Sequence, residues 1–195
     1  MNILFKIILY PFSLLFGVIT ALRNKLFDWN ILRSRSIPVP SISVGNITVG
    51  GTGKSPHVEY ITKLLKDNYT VGIVSRGYRR KTSGFHMADE QSDATIIGDE
   101  PMQFYYTFKN EPVFIAVDEN RWRGCKKLLK EHPEIDVIIL DDAFQHRWIK
   151  PGLSVLLSDF FNPYHKDFLM PTGRLREFRR GARRADIIVV SKSGK

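Results

Sequence analysis

The sequence predicts an α/β fold in which helices cover a mostly parallel β-sheet. Three observations lead to this prediction. After residue 40, short β-rich runs alternate with helix-like patterns, which is typical of parallel sheets. Most of these runs are uninterrupted apolar stretches, as expected of strands that are covered on both faces. The chain of 195 residues with 43% hydrophobic residues can bury one substantial core.

The predicted strands are the β-rich runs, and the predicted helices lie between them. The strands are residues 41–46, 70–75, 112–118, 136–142, 153–159 and 186–192. Residues 57–66 and 120–132 carry apolar side chains at helical spacing and are predicted to be covering helices. In the first helix, the residues predicted to face the sheet are Val58, Ile61, Leu64 and Leu65. Residues 82–93 are polar and are predicted to form a surface loop or hairpin.

The charge of the chain indicates an anionic partner. A formal net charge of +9 admits a phosphorylated substrate, an acidic membrane or a nucleic acid, and charge alone does not choose among them. Like charges repel at neighbouring helical positions. An anion is therefore predicted to bind near the arginine cluster Arg174, Arg176, Arg179, Arg180, Arg183 and Arg184. Cys125 is the only cysteine, which excludes an internal disulfide and favours a reducing, cytosolic compartment.

The N-terminal segment is predicted to be an interfacial helix. Residues 7–22 carry no charge and lie between Lys6 and Arg23. This run is short for a membrane span, which needs about 20 apolar residues, and no signal-peptide cleavage site follows it. The apolar side of the helix would enter the headgroup region, and its basic flank would contact anionic lipid. A helix buried against the protein is the alternative. Residues 1–36 are predicted to form this helix and a linker, and residues 37–195 the core.

The segment TVGGTGKS, residues 48–55, is similar to a phosphate-binding loop, although Thr48 stands where the usual pattern has glycine. It follows a predicted strand and opens a helix at Ser55, which is the context that such a loop requires. Its backbone N–H groups would surround nucleotide phosphates, Lys54 would neutralise their charge and Ser55 would hold Mg²⁺. A turn without a ligand is the alternative. The residues predicted to bind the nucleotide are Ile47, Thr48, Val49, Gly50, Gly51, Thr52, Gly53, Lys54 and Ser55. The predicted fold is therefore a P-loop NTPase-like sheet.

Two acidic motifs complete the predicted site. Asp141 and Asp142 follow four apolar residues in a Walker-B-like element, and Asp141 is predicted to reach Mg²⁺. The segment GDEP places Asp99 and Glu100 at the predicted carboxyl edge of the sheet, where ligands of such folds bind. Asp99 could accept a proton from an attacking hydroxyl, or it could cap a helix with Pro101 at the first position. The residues alone leave both interpretations open.

The segments SVGNITVGGTGKSP, SRGYRR, GDEP, ILDDAFQH, MPTGRLRE and RRADIIVVSK together resemble the tetraacyldisaccharide 4'-kinase family of lipid A biosynthesis. The resemblance covers essentially the whole chain, and the shifted glycines of the loop are a feature of that family. It implies transfer of the γ-phosphate of ATP to the 4'-hydroxyl of a tetraacylated glucosamine disaccharide 1-phosphate, giving the 1,4'-bisphosphate. It also implies a location at the cytoplasmic face of the inner membrane of a Gram-negative bacterium.

The resemblance implies roles for particular residues. Lys54 would contact phosphate, Ser55 and Asp141 would hold Mg²⁺, and Asp99 would activate the sugar hydroxyl. The residues implied to contact substrate are Arg76, Asp142, Gln145, His146 and Arg174. Positive charge at the two arginines would stabilise the transferring phosphate. The N-terminal helix would receive the acyl chains.

The resemblance also leads to an expectation about activity. Members of the family extend further and carry a C-terminal histidine that partners the GDEP aspartate. The sequence ends at SKSGK without a counterpart, so we expect a fragment or a truncated protein that binds nucleotide but catalyses poorly.

Two other classes of protein use P-loops or arginines to bind phosphates. In a GTPase or RNA-associated module, an aspartate that reads guanine would stand at Gly194, and DDAF lacks the glycine of D-x-x-G. No RNP aromatic pattern is present, so no nucleic-acid partner is predicted. A membrane-attached P-loop ATPase or GTPase-like module without sugar kinase activity remains as the alternative.

Overall fold

The computed structural model describes residues 3–193, so Gly194 of the SKSG segment lies outside the described residues. The elements in chain order are α1 (Ile3–Asp28), β1 (Ser41–Gly45), α2 (Lys54–Leu65), β2 (Val71–Ser75), β3 (His86–Met87), α3 (Ala94–Ile97), α4 (Asp99–Phe108), β4 (Val113–Val117), α5 (Arg121–Glu131), β5 (Val137–Asp141), β6 (Leu153–Asp159) and β7 (Ile187–Ser191). Two 3-10 helices, Tyr164–Lys166 and Arg179–Arg184, lie between β6 and β7.

The described residues group into two compact units. The first, which we call the sheet unit, contains residues 34–45 and 54–154. The second, the helix unit, contains residues 3–33, 46–53 and 155–193. The boundary predicted between residues 36 and 37 stays a prediction.

The sheet unit contains five strands in the order β3-β4-β2-β5-β1. The pairs β2–β4, β2–β5 and β1–β5 are parallel, whereas β3 is antiparallel to β4. All six predicted strands are present in the chain, and each observed end lies within one residue of the predicted end. The α/β prediction is therefore confirmed. The core of this unit includes Val74, Cys125, Leu128, Ile138 and Leu140, all fully buried.

The sequence did not predict β3. His86 and Met87 lie in the polar segment 82–93 and pair with Val117 and Ala116 of β4. Two residues are too few to show the alternation of apolar and polar side chains that marks a strand.

The predicted buried face of α2 is wrong at one position. Leu64 is 60% exposed, whereas Thr62 is fully buried. Val58 and Thr62 are four residues apart and lie on the same face of the helix. The Thr62 hydroxyl donates to the carbonyl of Val58 at 2.8 Å, so this polar side chain is satisfied inside the core. Leu64 lies two positions from Thr62, which turns it towards solvent.

The expectation that the strands are covered on both faces is wrong for β7. This strand pairs in parallel with β6 in the helix unit. Its residues Ile187, Ile188 and Val190 are nonetheless 45%, 47% and 51% exposed. An apolar run predicts a strand, but burial also requires an element that packs on it, and the run does not encode that element.

Helix α1 is longer than the uncharged run that predicted it, since it continues to Asp28 and includes Pro11. Its inner side uses small residues: the Ser13 hydroxyl donates to Thr172 at 2.6 Å, and a Cβ on Gly17 would lie 2.5 Å from Leu169. Most of its apolar side chains are exposed. A core helix is therefore not supported. Within residues 3–193, Lys6–Asp28 is long and apolar enough to cross a bilayer by length and composition.

Candidate active site

The glycine-rich loop, residues 46–53, belongs to the helix unit and is held at its ends. Asn46 donates to the Thr52 hydroxyl at 2.7 Å, and Ser191 donates to the Thr52 carbonyl at 2.8 Å. Gly50 and Gly53 have φ of 112° and 81°, which favours glycine at both positions. A Cβ on Gly50 or Gly51 would meet nothing within 4 Å. The centre of the loop is therefore open to a ligand, while its ends are fixed.

The first half of the loop forms a short ladder with residues 174–176. Val49 N–H donates to the Arg174 carbonyl at 2.7 Å, and Arg176 N–H donates to the Ile47 carbonyl at 2.8 Å. Thr48 and Leu175 form the antiparallel bridge between them. The predicted substrate residue Arg174 thus lies beside the predicted nucleotide residues 47–49. Its Nε donates to Asp167 at 2.8 Å. The ligand roles of these residues stay predictions.

Lys54 and Ser55 begin α2 in the sheet unit, where the N-terminus of a helix favours anions. Lys54 Nζ lies 3.9 Å from an Asp142 oxygen, and the lysine side chain is mostly buried. The Ser55 hydroxyl donates to Glu100 at 2.7 Å. A hydroxyl that donates its proton keeps its oxygen lone pairs, so Ser55 can still contribute to a cation site.

Asp141 ends β5 and is 1% exposed. Ser75 donates to its Oδ2 at 2.8 Å, whereas its buried Oδ1 has no hydrogen-bond partner. Burial raises the pKa of Asp141 to about 6; the negative charges of Glu100 and Asp142 also raise it, while Ser75 and Arg121 act in the opposite direction. A bound cation would satisfy the free oxygen and favour the ionised carboxylate.

The surroundings of Asp141 fit Mg²⁺. This ion keeps several waters and takes one or two carboxylates together with substrate phosphates, so it does not need a full cage of protein ligands. Within residues 3–193, no group of three or more His, Cys, Asp or Glu side chains forms such a cage. The unpartnered Asp141 oxygen supplies the carboxylate.

Asp99 is the first residue of α4 and is exposed. The N-cap of this helix is Gly98, with φ of 95°, so the interpretation of Asp99 as the cap is wrong. Pro101 is the third helical residue rather than the first. Glycine adopts this positive φ without strain, whereas an aspartate at the cap position would be strained. The Asp99 carboxylate is thereby left for another role.

Arg121 is a candidate functional residue that the sequence did not indicate. It begins α5 and is 2% exposed. Its Nη2 donates to the carbonyls of Asp141 and Asp142 at 3.3 and 3.4 Å, and its Nη1 donates to that of Asp118 at 3.3 Å. Burial lowers the pKa of this guanidinium to about 10, and the two aspartates oppose that effect. Arg121 therefore holds positive charge beneath the aspartate pair. A basic helix of this composition predicts solvent-facing arginines, so no sequence signal separates Arg121 from its neighbours.

The other predicted substrate residues lie around this arginine. The His146 Nε2 accepts from the Arg121 backbone N–H at 3.2 Å, which requires an unprotonated Nε2. Gln145, one residue earlier, is partly buried. Arg76 follows β2, is exposed and acts electrostatically on Arg121. Asp142 adopts φ of 45°, which turns the chain directly after β5.

The structure thus brings most of the predicted residues of the sheet unit together. The connected set is Lys54, Ser55, Arg76, Asp141, Asp142 and His146, joined through Glu100 and Arg121. The sequence places Glu100 beside Asp99 but predicts no role for it in the site. Its contact with Ser55 is a tertiary one, so spacing along the chain does not reveal it.

We predict that Asp141→Asn stabilises the ligand-free protein. With a folded-state pKa of about 6 and an ordinary value of 3.8, stability falls as pH rises between these values and stays lower above them. The amide does not ionise, so the variant should be more stable by about 1–3 kcal/mol at pH 7.5 and equal to the original at pH 4. Urea unfolding with EDTA at both pH values measures this difference. An unchanged midpoint at pH 7.5 would contradict the prediction.

The fold and the order of these motifs are those of the P-loop class of proteins. A buried strand leads through a glycine-rich loop into a helix that begins with lysine, and a neighbouring parallel strand ends in a buried aspartate. The profile of the tetraacyldisaccharide-1-P 4'-kinase (LpxK) family matches residues 5–195. The chain belongs to this family.

Individual relatives agree with this assignment. The tetraacyldisaccharide 4'-kinase of Bacteroides thetaiotaomicron is 53% identical over 185 residues, which are 94% of this chain and 48% of the relative. That of Flavobacterium johnsoniae is 52% identical over 195 residues, covering 100% of this chain and 56% of the relative. The chain therefore spans about half the length of the curated relatives it matches.

A solved structure also matches. The crystal structure of LpxK from Aquifex aeolicus in complex with ATP superimposes with a TM-score of 0.87 at 40% sequence identity. The match covers 96% of this chain and 59% of the other.

Proposed function

We propose that this chain carries the nucleotide and metal machinery of a kinase that phosphorylates the 4'-hydroxyl of a tetraacyldisaccharide 1-phosphate. The observation that carries the proposal is the buried Asp141 carboxylate with an unpartnered oxygen, in a cluster with the pairs Lys54–Asp142 and Ser55–Glu100. Acidic and basic groups of this kind recur where phosphoryl groups are transferred. Family membership supports the tetraacyldisaccharide 1-phosphate as the acceptor.

Nucleotide binding is assigned to residues 47–55. The open glycines offer backbone N–H groups to the phosphates, and the Lys54 ammonium neutralises their charge. Ser55 and Asp141 would hold Mg²⁺, which when bound neutralises phosphate charge. Lys54 Nζ lies 3.9 Å from an Asp142 oxygen, so phosphate oxygens at this position would compete with that carboxylate for the ammonium.

The acceptor side is assigned to Asp99 and to arginines. Asp99 accepts the proton of the sugar hydroxyl, which requires an accessible carboxylate, and its position at the exposed start of α4 provides one. Arg76 and Arg174 stabilise negative charge on the transferring phosphate. Gln145, His146 and Asp142 would contact substrate near the same edge of the sheet.

The lipid part of the substrate is assigned to the helix unit. A cavity of about 550 Å³ lies there, with a mostly apolar lining that also includes two arginines, Asp167, Ser13 and Thr172. It is lined by Tyr10, Ser13, Leu14, Asp167, Phe168, Leu169, Thr172, Leu175, Phe178, Arg179 and Arg180. This combination suits an acyl chain that ends in an anionic headgroup. We assign the protein to the cytoplasmic face of the inner membrane, where the exposed apolar side of α1 would meet an anionic membrane surface.

We predict that wild-type protein in detergent transfers labelled phosphate from ATP to acylated disaccharide 1-phosphate. Asp99→Asn, which keeps the shape of the side chain, should abolish transfer while ATP binding persists, because only the acceptor proton loses its base. Lys54→Ala should weaken both ATP binding and phosphate transfer.

The assay also tests the expectation that this chain binds nucleotide but transfers phosphate slowly. The alternative is a membrane-attached ATPase without sugar kinase activity. Labelled phosphate that appears only in water would favour that alternative and overturn the kinase proposal.

A further inference from the structure

The loop after β2 is fastened to the segment that precedes α4. Lys81 N–H donates to the Thr95 carbonyl at 2.7 Å, and the Thr82 hydroxyl donates to the Ile96 carbonyl at 2.5 Å. We call residues 77–84 the clamp loop. These bonds run directly beside the turn that leads into Asp99.

Two glycines make the contact between the clamp loop and this turn. A Cβ on Gly98 would lie 3.0 Å from the Tyr78 carbonyl oxygen and 3.1 Å from the Gly77 Cα. A Cβ on Gly77 would lie 2.7 Å from the Ile97 carbonyl oxygen. The two backbones therefore touch without side chains between them. Gly77 directly follows Arg76 and Gly98 directly precedes Asp99, so this contact couples the two predicted acceptor-side residues.

Arg80 anchors the clamp loop to the end of β4. Its side chain is only 2% exposed and pairs with Glu119. Its Nη2 also donates to the Gly84 carbonyl at 2.6 Å, and Gly84 N–H donates to the other Glu119 oxygen at 3.0 Å. Burial raises the pKa of Glu119, but the bonds from Arg80 and Gly84 outweigh burial and leave it below its usual value.

Burial of the Arg80 guanidinium lowers the stability of the fold. Its Nε and Nη1 are buried without hydrogen-bond partners. Leaving buried charged nitrogens unsatisfied opposes folding, and a buried ion pair is weak evidence for stability. The guanidinium does, however, bond to Gly84 and Glu119 at once, which fixes the direction of the loop as a single bond does not. This arrangement therefore fixes the position of the clamp loop and does not add to the stability of the fold.

We propose that Arg80 is a positioning residue for phosphoryl transfer: by locking the clamp loop to Glu119, it holds the Gly77–Gly98 contact and so sets Asp99 relative to Arg76. The inference rests on the proposed function, because Asp99 and Arg76 matter together only if a hydroxyl attacks phosphate. In this proposal Arg80 acts through the clamp loop and does not contact ATP or the lipid acceptor.

The test compares Arg80→Gln and Glu119→Gln with Arg79→Gln as the matched control. Arg79 lies in the same loop and stacks its guanidinium 5.3 Å from the Tyr78 ring centroid. Amide exchange at Lys81 and Gly98 should accelerate about tenfold or more in the first two variants and not in the control. Exchange in β2 should stay unchanged.

Kinetics separate positioning from a purely structural role. With ATP affinity unchanged, kcat for lipid phosphorylation should fall about tenfold or more in Arg80→Gln and Glu119→Gln. The double variant should be no worse than either single one, because both remove the same lock. Arg80→Lys should recover part of kcat, since an ammonium keeps the bond to Glu119.

Each outcome decides the inference. Wild-type exchange and kcat in Arg80→Gln would overturn it, as would faster exchange without any loss of kcat. If Arg80→Gln fails to fold, Glu119→Gln decides in its place, because it keeps the shape of the side chain, although it also removes the pair of Glu119 with Arg123 at 3.6 Å. A wild-type protein without lipid phosphorylation contradicts the proposed function instead, and amide exchange then decides whether the lock exists.

Discussion

If the proposed function holds, Lys54→Ala is expected to lower phosphoryl transfer about 100-fold or more, because it removes the cation that would neutralise the transferring phosphate. The lysine is held at the first position of α2 and lies 3.9 Å from Asp142. Its ammonium is mostly buried, so few waters compete with a phosphate for it. Affinity for ATP should fall as well, because the proposed role has the lysine bind phosphate in the ground state too.

Lys63→Ala is the matched control for this prediction. Lys63 lies in the last turn of the same helix and is exposed. Isothermal titration with ATP and Mg²⁺ gives the affinity, and transfer to acylated disaccharide 1-phosphate in detergent gives the rate. If Lys54→Ala and Lys63→Ala retained equal activity, residues 47–55 would not be the phosphate site.

Arg121→Met is expected to destabilise the protein by about 3–5 kcal/mol, the range found when one partner of a buried charge pair is removed. Methionine fills much of the volume but donates no hydrogen bond. The carbonyls of Asp118, Asp141 and Asp142 would each lose a donor. The buried Asp141 carboxylate would also lose the cation that favours its ionised form.

Urea unfolding at pH 7.5 measures the effect of Arg121→Met. Lys130→Met, an exposed change in the last turn of the same helix, should shift stability by no more than about 0.5 kcal/mol. A similarly small effect of Arg121→Met would mean that its long hydrogen bonds contribute little. In that case the aspartate pair would be held mainly by β5, by the bond from Ser75 to Asp141 and by the pair of Lys54 with Asp142.

Sequence patterns anticipated the sheet because buried parallel strands carry their own signal. Most predicted strands are runs of apolar residues, and burial on both faces selects such runs regardless of what covers them. The prediction of burial failed where burial depends on a specific hydrogen bond or on a covering element. Thr62 is buried because its hydroxyl bonds to Val58 within the helix, and β7 remains exposed although it is as apolar as the buried strands.

The candidate site likewise contains residues that the sequence predicts and residues that it does not. Lys54, Ser55 and Asp141 follow from the order of motifs along the chain, since strand, loop and helix are local features. The contacts of Glu100 with Ser55 and of Arg121 with the aspartate carbonyls join segments that are distant in sequence. A single sequence contains no record of such tertiary contacts. The capping glycine before Asp99 could have been suspected, because glycine is favoured at N-caps and tolerates positive φ.

The burial of Cys125 has a chemical consequence for the protein. The thiol is fully buried, and burial raises its pKa to about 12. Oxidants and alkylating agents react with an accessible thiolate, and this side chain provides neither access nor ionisation. As the only cysteine of the sequence, it leaves the folded chain without a thiol that peroxide or a disulfide could modify.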